Sequence, residues 1–307
     1  MQKLTIAFCA ALLAVVQVTA QTNPRARIAG AYRLLANGEA TGYVFYDPSG
    51  LYAEAIQQSG RPRFAAAQPT PAEALVAVKT YSGSFGRYEV TADGTLTRHK
   101  DGSFDPNETG NIEKTTFVVS GTRLTITPPR GSNGVQAAST WERMPDLNLT
   151  PLQRRFLGFR RLVLNEVRNQ NGEVLRGPSG GVDAGGTAFN PGQTGYIVYT
   201  AAGAMMVHMT QPNRPKYRGP VPTGEEAQEI IHTYNTYFGT WVVNESDGVV
   251  VHKREGSFKP NTIDDVPRKF VFEGKRLTLM PPPSTRGEVT RQGYLGWDLV
   301  TPEVARD

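Results

Sequence analysis

Cysteine is all but missing from this chain. The single Cys9 lies in an N-terminal segment expected to be removed, so the mature protein has no thiol for a disulfide, a nucleophile or a thiolate metal site. Beyond that segment no stretch is long and apolar enough to cross a bilayer, which needs about twenty residues, so no stable membrane insertion is expected after cleavage. Blocks of like charge are also missing. The formal charge is +5 and falls to +4 once Lys3 is removed, with lysines and arginines scattered along the chain. That is the pattern of a solvated surface, and nucleic acid is not an expected partner. No Gly-x-Ser-x-Gly elbow stands between a strand and a helix, which argues against a serine hydrolase.

Residues 1–20 carry a lysine near the start, an apolar run from Leu4 to Val18 and the small residues of Val18-Thr19-Ala20. They read as a signal peptide cut after Ala20, and imply a secreted or periplasmic protein. A retained membrane anchor is the alternative, against which the run is short.

The rest of the chain uses one sequence twice. In the first half 79–107 reads KTYSGSFGRYEVTADGTLTRHKDGSFDPN; in the second 232–261 reads HTYNTYFGTWVVNESDGVVVHKREGSFKPN. Each gives an aromatic and a glycine, a strand, a turn, a strand ending in basic residues, and Gly-Ser-Phe-x-Pro-Asn. The segments 43–64 and 196–217 align without a gap, with Gly50 matching Gly203 and Arg61-Pro62 matching Arg214-Pro215. Such an offset held over many positions marks a tandem duplication. Runs of aromatic and branched residues bounded by Asp47-Pro-Ser-Gly50, Asp93-Gly94 and Ser120-Gly121 predict about eight short antiparallel strands per half. Pro71 at a first helical turn, Glu73 after it and Leu75, Val76 and Val78 on one side predict one short helix over 71–81.

The fold expected is therefore all-β, with two tandem antiparallel barrels over 28–143 and 156–300 joined by a linker at 144–155. Closing each sheet removes its exposed edges; a sandwich is the alternative. The halves differ most at 165–192, a glycine-rich insertion in the second that reads as either a lid or a disordered segment.

The second half resembles the lipocalin-like domain family. The resemblance is carried by Phe156-Leu-Gly-Phe-Arg-Arg-Leu-Val163, Gly195-Tyr-Ile-Val-Tyr-Thr200, Gln211-Pro-Asn-Arg-Pro215, Tyr237-Phe-Gly-Thr-Trp241, Val251-His252, Gly256-Ser-Phe-Lys-Pro-Asn261, Arg268, Arg276-Leu-Thr-Leu279 and Pro281-Pro282. It implies a barrel with an internal cavity and no single activity. The first half is a more divergent copy, because His99 stands one residue nearer its glycine than His252 does to Gly256. On a strand that shift exchanges faces.

Among chemistry-bearing residues, His252 comes first. In Val249-Val-Val-His-Lys-Arg-Glu255 it shares a strand face with Val250 and Arg254, so His252 and Arg254 are the candidate pair for meeting a ligand carbonyl or carboxylate. The alternative for His252 is a structural histidine bonding the loop after Gly256. Met206, His208, Tyr234, Tyr237 and Trp241 are candidates for an adaptable ligand wall, or else core. Met206 and His208 share one strand face while Met205, Val207 and Met209 share the other, so at most one set lines a cavity. Arg214 is a candidate for drawing in an anionic ligand, or else bonds turn carbonyls. Ser257 and Asn261 read as turn architecture. His208, His232 and His252 lack close ligand spacing, so neither a metal nor another cofactor is expected.

The function expected is an exported protein that binds a small hydrophobic or amphipathic molecule in a barrel. Two others remain open: an isomerase or cyclase using His252 as general acid or base, and a structural module whose barrels are filled by side chains.

Overall fold

The computed structural model describes residues 24–36, 38–130, 136–176, 181–182, 188–189 and 192–300. The expected signal peptide lies outside these residues, as does much of the 165–192 insertion.

In the first half, β1 (Gly30–Leu34), β2 (Ala40–Tyr46), β3 (Leu51–Gln58), β4 (Tyr81–Val90), β5 (Thr95–Ser103), β6 (Ile112–Ser120), β7 (Arg123–Thr127) and β8 (Ser139–Arg143) pair antiparallel in chain order. β8 returns to β1, with Trp141 opposite Leu34, and the barrel closes. The helix α1 (Pro71–Lys79) joins β3 to β4. It starts where the sequence says it should, since Thr70 and Glu73 form a reciprocal cap ahead of Pro71.

The second half repeats the order. After the single turn α2 (Pro151–Arg154) come β9 (Gly158–Asn169), β10 (Val174–Arg176), β11 (Gly181–Val182), β12 (Ala188–Phe189), β13 (Thr194–Tyr199) and β14 (Ala204–Thr210). The helix α3 (Gly224–Thr233) leads into β15 (Tyr234–Asn244), β16 (Val249–Ser257), β17 (Val266–Glu273), β18 (Arg276–Met280), β19 (Ser284–Arg286) and β20 (Val289–Leu299). The ring runs β9-β13-β14-β15-β16-β17-β18-β20, and β20 closes on β9 from Leu299 opposite Arg160 to Arg291 opposite Asn169.

That last pairing makes the first residues of the insertion part of the barrel wall: β9 has 12 residues where β1 has 5. The strand ends where the Asn169 side chain accepts from the backbone N–H of Asn171 at 3.0 Å and of Glu173 at 2.9 Å, and Gly172 takes φ 83° to turn into β10. The second barrel is therefore taller on one side.

Three apolar cores form, one inside each barrel and one between them. The middle core joins Tyr43, Phe45, Ala53 and Phe85 of the first half to Tyr196, Val198, Met206 and Phe238 of the second. The repeated motif supplies its polar frame. Arg61 donates to Phe258 O at 2.8 Å and to Ser257 O, while Arg214 donates to Ser103 O and Phe104 O, both at 2.6 Å. The Asn261 side chain brackets the backbone of Phe64 at 2.7 and 3.0 Å, and Asn107 brackets that of Tyr217 at 3.1 Å on both sides. Each half's Arg-Pro turn thus grips the other half's Gly-Ser-Phe-x-Pro-Asn turn. This is an isologous contact of the kind that joins identical subunits, here within one chain.

Candidate functional site

Strand alternation inside the second barrel decides which side chains meet. On β16, Val250 and His252 are fully buried in the barrel and Arg254 is half-buried, whereas Lys253 is exposed. His252 is bonded at both ring nitrogens: Nε2 to the Tyr199 hydroxyl at 2.6 Å and Nδ1 to the Tyr237 hydroxyl at 2.9 Å. Burial pushes its pKa well below the ordinary histidine value, and the nearby charges of Arg268 and Arg254 push the same way. A neutral imidazole has one N–H and one bare nitrogen, so one phenol accepts from it and the other donates to it. Burial also holds the Tyr199 phenol well above its usual value, keeping it protonated. Arg254 lies 5.1 Å and Arg268 5.8 Å from the centre of the Tyr237 ring.

Above this cluster, at the end where β14 leads toward α3 and β15 begins, the barrel holds a cavity of about 230 Å³. Ile197, Val207, Met209, Leu279, Leu295 and Trp297 make its apolar wall, and Tyr237 borders it. Polar atoms come from Asn165, Gln193, Gln211, His232, Lys259 and Arg268. No aspartate or glutamate is among the described residues that line it. Asn165 lies on the added height of β9, and Gly293 and Leu295 on the matching part of β20, so the insertion contributes to the chamber.

The structure brings four of the sequence candidates into this barrel. His252, Arg254 and Tyr237 adjoin one another, and Trp241 packs at the far end against Phe156 and Tyr199 with ring centres 5.5 and 5.2 Å apart. His252 does not line the cavity; Tyr237 stands between them. The other four candidates point to the junction. His208 is fully buried there, bonded to the Tyr234 hydroxyl at 2.8 Å and to the Met206 sulfur at 3.0 Å, and burial lowers its pKa to about 3. Tyr234 borders the cavity mouth, but its phenol is committed to His208. Arg214 is spent on the first half's turn. The inner face of β14 is the other set, Met205, Val207 and Met209. Sequence reasoning named Arg268 and Lys259 only among the residues that carry the family resemblance, without a role in a site, and did not single out Leu295 or Trp297. For Arg268 the available signal was alternation on β17, where Val266, Arg268, Phe270 and Phe272 are less exposed than their neighbours. The three histidines do not converge, and no metal-holding cluster of three His, Asp or Glu side chains occurs among the described residues.

The first barrel offers an internal control. A bulge after Phe85 places Gly86 opposite Lys100, as one after Phe238 places Gly239 opposite Arg254. By that register the counterpart of His252 is Arg98, and His99 lies on the other face. Arg98 is buried, ion-paired to Glu54 at 2.9 Å and to Glu113 at 2.8 Å, with the Tyr52 ring 5.4 Å away. The counterparts of Glu54 and Glu113 in the second barrel are Val207 and Val266.

Two stretches, 36–144 and 158–299, match the model of one family, described as a lipocalin-like domain. No curated protein matches the chain. Among solved structures, a DUF3598-family protein of unknown function from Nostoc punctiforme is 10% identical, with 91% of this chain and 98% of that one covered and a TM-score of 0.21. A Bacteroides fragilis protein titled a "putative outer membrane protein" is 10% identical, with 90% and 100% covered and a TM-score of 0.23.

Proposed function

Since the chain belongs to the lipocalin-like domain family in both of its halves, we propose that it is an exported binding protein whose second barrel takes up one small amphipathic molecule. The observation that carries this reading is the cavity inside that barrel, apolar along its wall and polar where it borders Arg268 and Lys259. At about 230 Å³ it is smaller than the roughly 300–1,000 Å³ of drug-sized sites, so the guest is small. Covering about 100 Å² of apolar ligand surface contributes roughly 2.5 kcal/mol before the cost of association. Polar contacts must supply much of the rest. Export is supported by residues 1–20 alone.

The acid–base alternative runs through Tyr237, whose hydroxyl belongs to a residue lining the cavity and is bonded to His252. His252 would then orient Tyr237 and replenish its proton, without touching the substrate itself.

The test is native mass spectrometry of the protein taken from its host's exported fraction, with solvent extraction of anything bound. A small guest that disappears in Val207→Phe, which fills the cavity, supports the reading. Bare polypeptide under gentle conditions, together with no binding of small amphipathic probes, contradicts it.

A further inference from the structure

Resting on the binding reading above, we propose that the guest carries a carboxylate, that Arg268 receives it, and that the indole N–H of Trp297 donates a second hydrogen bond to an oxygen of the same molecule.

The charge of the lining comes first. Arg268 and Lys259 border the cavity and no described carboxylate does. Arg254 stands beside Tyr237 just behind it, its charge partly offset by Asp264 and Asp265. Arg268 spends one hydrogen bond on Val266 O at 3.1 Å and forms no ion pair among the described residues. A guanidinium has five N–H donors in a planar fork that matches a carboxylate, so this one retains donors for a ligand. A ligand amine would instead meet two arginines at close range.

The second donor is identified by comparing the barrels. Trp141 and Trp297 occupy equivalent places, each facing a leucine of its barrel's first strand, Leu34 or Leu162. In the first barrel the indole Nε1 donates to Ser139 Oγ at 2.9 Å. Two residues before Trp297 the serine is replaced by Leu295, which lines the cavity. The Trp297 Nε1 is left buried with no partner among the described residues, although its ring borders the same cavity. An unpaired buried donor is costly, and a ligand oxygen supplies what Ser139 supplies in the other barrel.

Titration calorimetry on the mature full-length protein with octanoate, 1-octanol and octylamine tests this. Octanoate is expected to bind at least tenfold more tightly than octanol, with octylamine weakest. Arg268→Met is expected to erase the preference for the acid while octanol binds within about twofold of wild type, which also reports that the barrel is intact. Trp297→Phe is expected to weaken octanoate about fivefold. Octanol binding as tightly as octanoate, or an acid preference that survives Arg268→Met and Arg268→Gln, overturns the proposal and leaves the binding reading standing. Failure of all three probes to bind overturns both.

Discussion

The two barrels share strand order, bulge position and an inward tryptophan, yet their interiors are polarised in opposite ways. In the first, Arg98 is enclosed by Glu54 and Glu113, and Trp141 is answered by Ser139. The Tyr46 hydroxyl, the Arg98 Nε and the Glu113 Oε2 have no hydrogen-bond partner there among the described residues, the last being held by its ion pair to Arg98. In the second, valines replace the glutamates, a neutral histidine replaces the arginine, and the tryptophan loses its serine. Arg268 then enters where the first barrel has Thr115. A longer β9 and β20 raise the wall around the space that results. The first copy answers its central arginine with two carboxylates and its tryptophan with a serine, and the second keeps the Arg268 and Trp297 donors for something else.

The comparison can be broken most forcefully at Arg98. Arg98→Met leaves Glu54 without its ion-pair partner and Glu113 with only Lys100 at 3.7 Å, and is expected to destabilise the protein by about 3–5 kcal/mol in urea unfolding. The triple change Glu54→Val, Arg98→Met, Glu113→Val, which makes the interior resemble the second barrel, is expected to recover most of that loss. If the triple variant is as unstable as the single one, the ion pairs are not what fills this barrel.

Next in size is the junction. Arg61→Ala and Arg214→Ala each remove a half-buried guanidinium from backbone carbonyls of the opposite half, and each is expected to cost about 3 kcal/mol. The internal two-fold predicts that the two losses agree to within about 1 kcal/mol. Widely unequal losses would mean that the reciprocal grip is symmetric in geometry only.

Acid should separate the halves. His208 and His252 are both in the second half, and burial depresses both folded pKa values below the unfolded value of about 6.5. Below that pH the unfolded chain binds protons that the folded chain does not. Their contribution is therefore present above about pH 6.5 and lost as pH falls. By linkage each histidine removes at most about 2 kcal/mol between pH 6.5 and 5. His252→Gln is expected to halve the pH dependence over that interval, as read from urea midpoints at each pH.

The smallest effect expected is at the indoles. Ser139→Leu should cost about 1 kcal/mol by leaving Trp141 unpaired, as Trp297 already is. Thermal melts of this variant beside Ser139→Ala, which removes the same hydrogen bond without adding bulk, check that the loss comes from the unpaired indole.

Much of the architecture was legible because duplication and strand alternation are local patterns. The eight strands per half, α1 with Pro71 and Glu73 in its first turn, and the face shared by Val250, His252 and Arg254 all follow from neighbouring residues. The one-residue shift at His99 also led to the right conclusion about its face, although not to Arg98 as the residue that takes the interior place. What escaped was information carried by the junction. β14 is buried on both faces, one by its own barrel and one by the other half, so its sequence, apolar from Ala204 to Val207 and at Met209, does not alternate in a way that reveals which side faces inward. Arg214 meets partners 110 and 111 residues away, and no local pattern reports that. The start of the insertion was hidden for the opposite reason: Asn165 to Asn169 is polar enough to suggest a loop, yet it has β20 to pair with.

The central claim is that the second barrel accepts a small ligand while the first is filled. The chain has three tryptophans, with Trp141 in one barrel and Trp241 and Trp297 in the other, so the indole N–H signals of ¹⁵N-labelled protein report on both interiors together. Titration with octanoate is predicted to move the Trp297 signal strongly and Trp241 less, leaving Trp141 in place. A titration that moves Trp141 as far as Trp297, or that moves none of the three, would contradict the account.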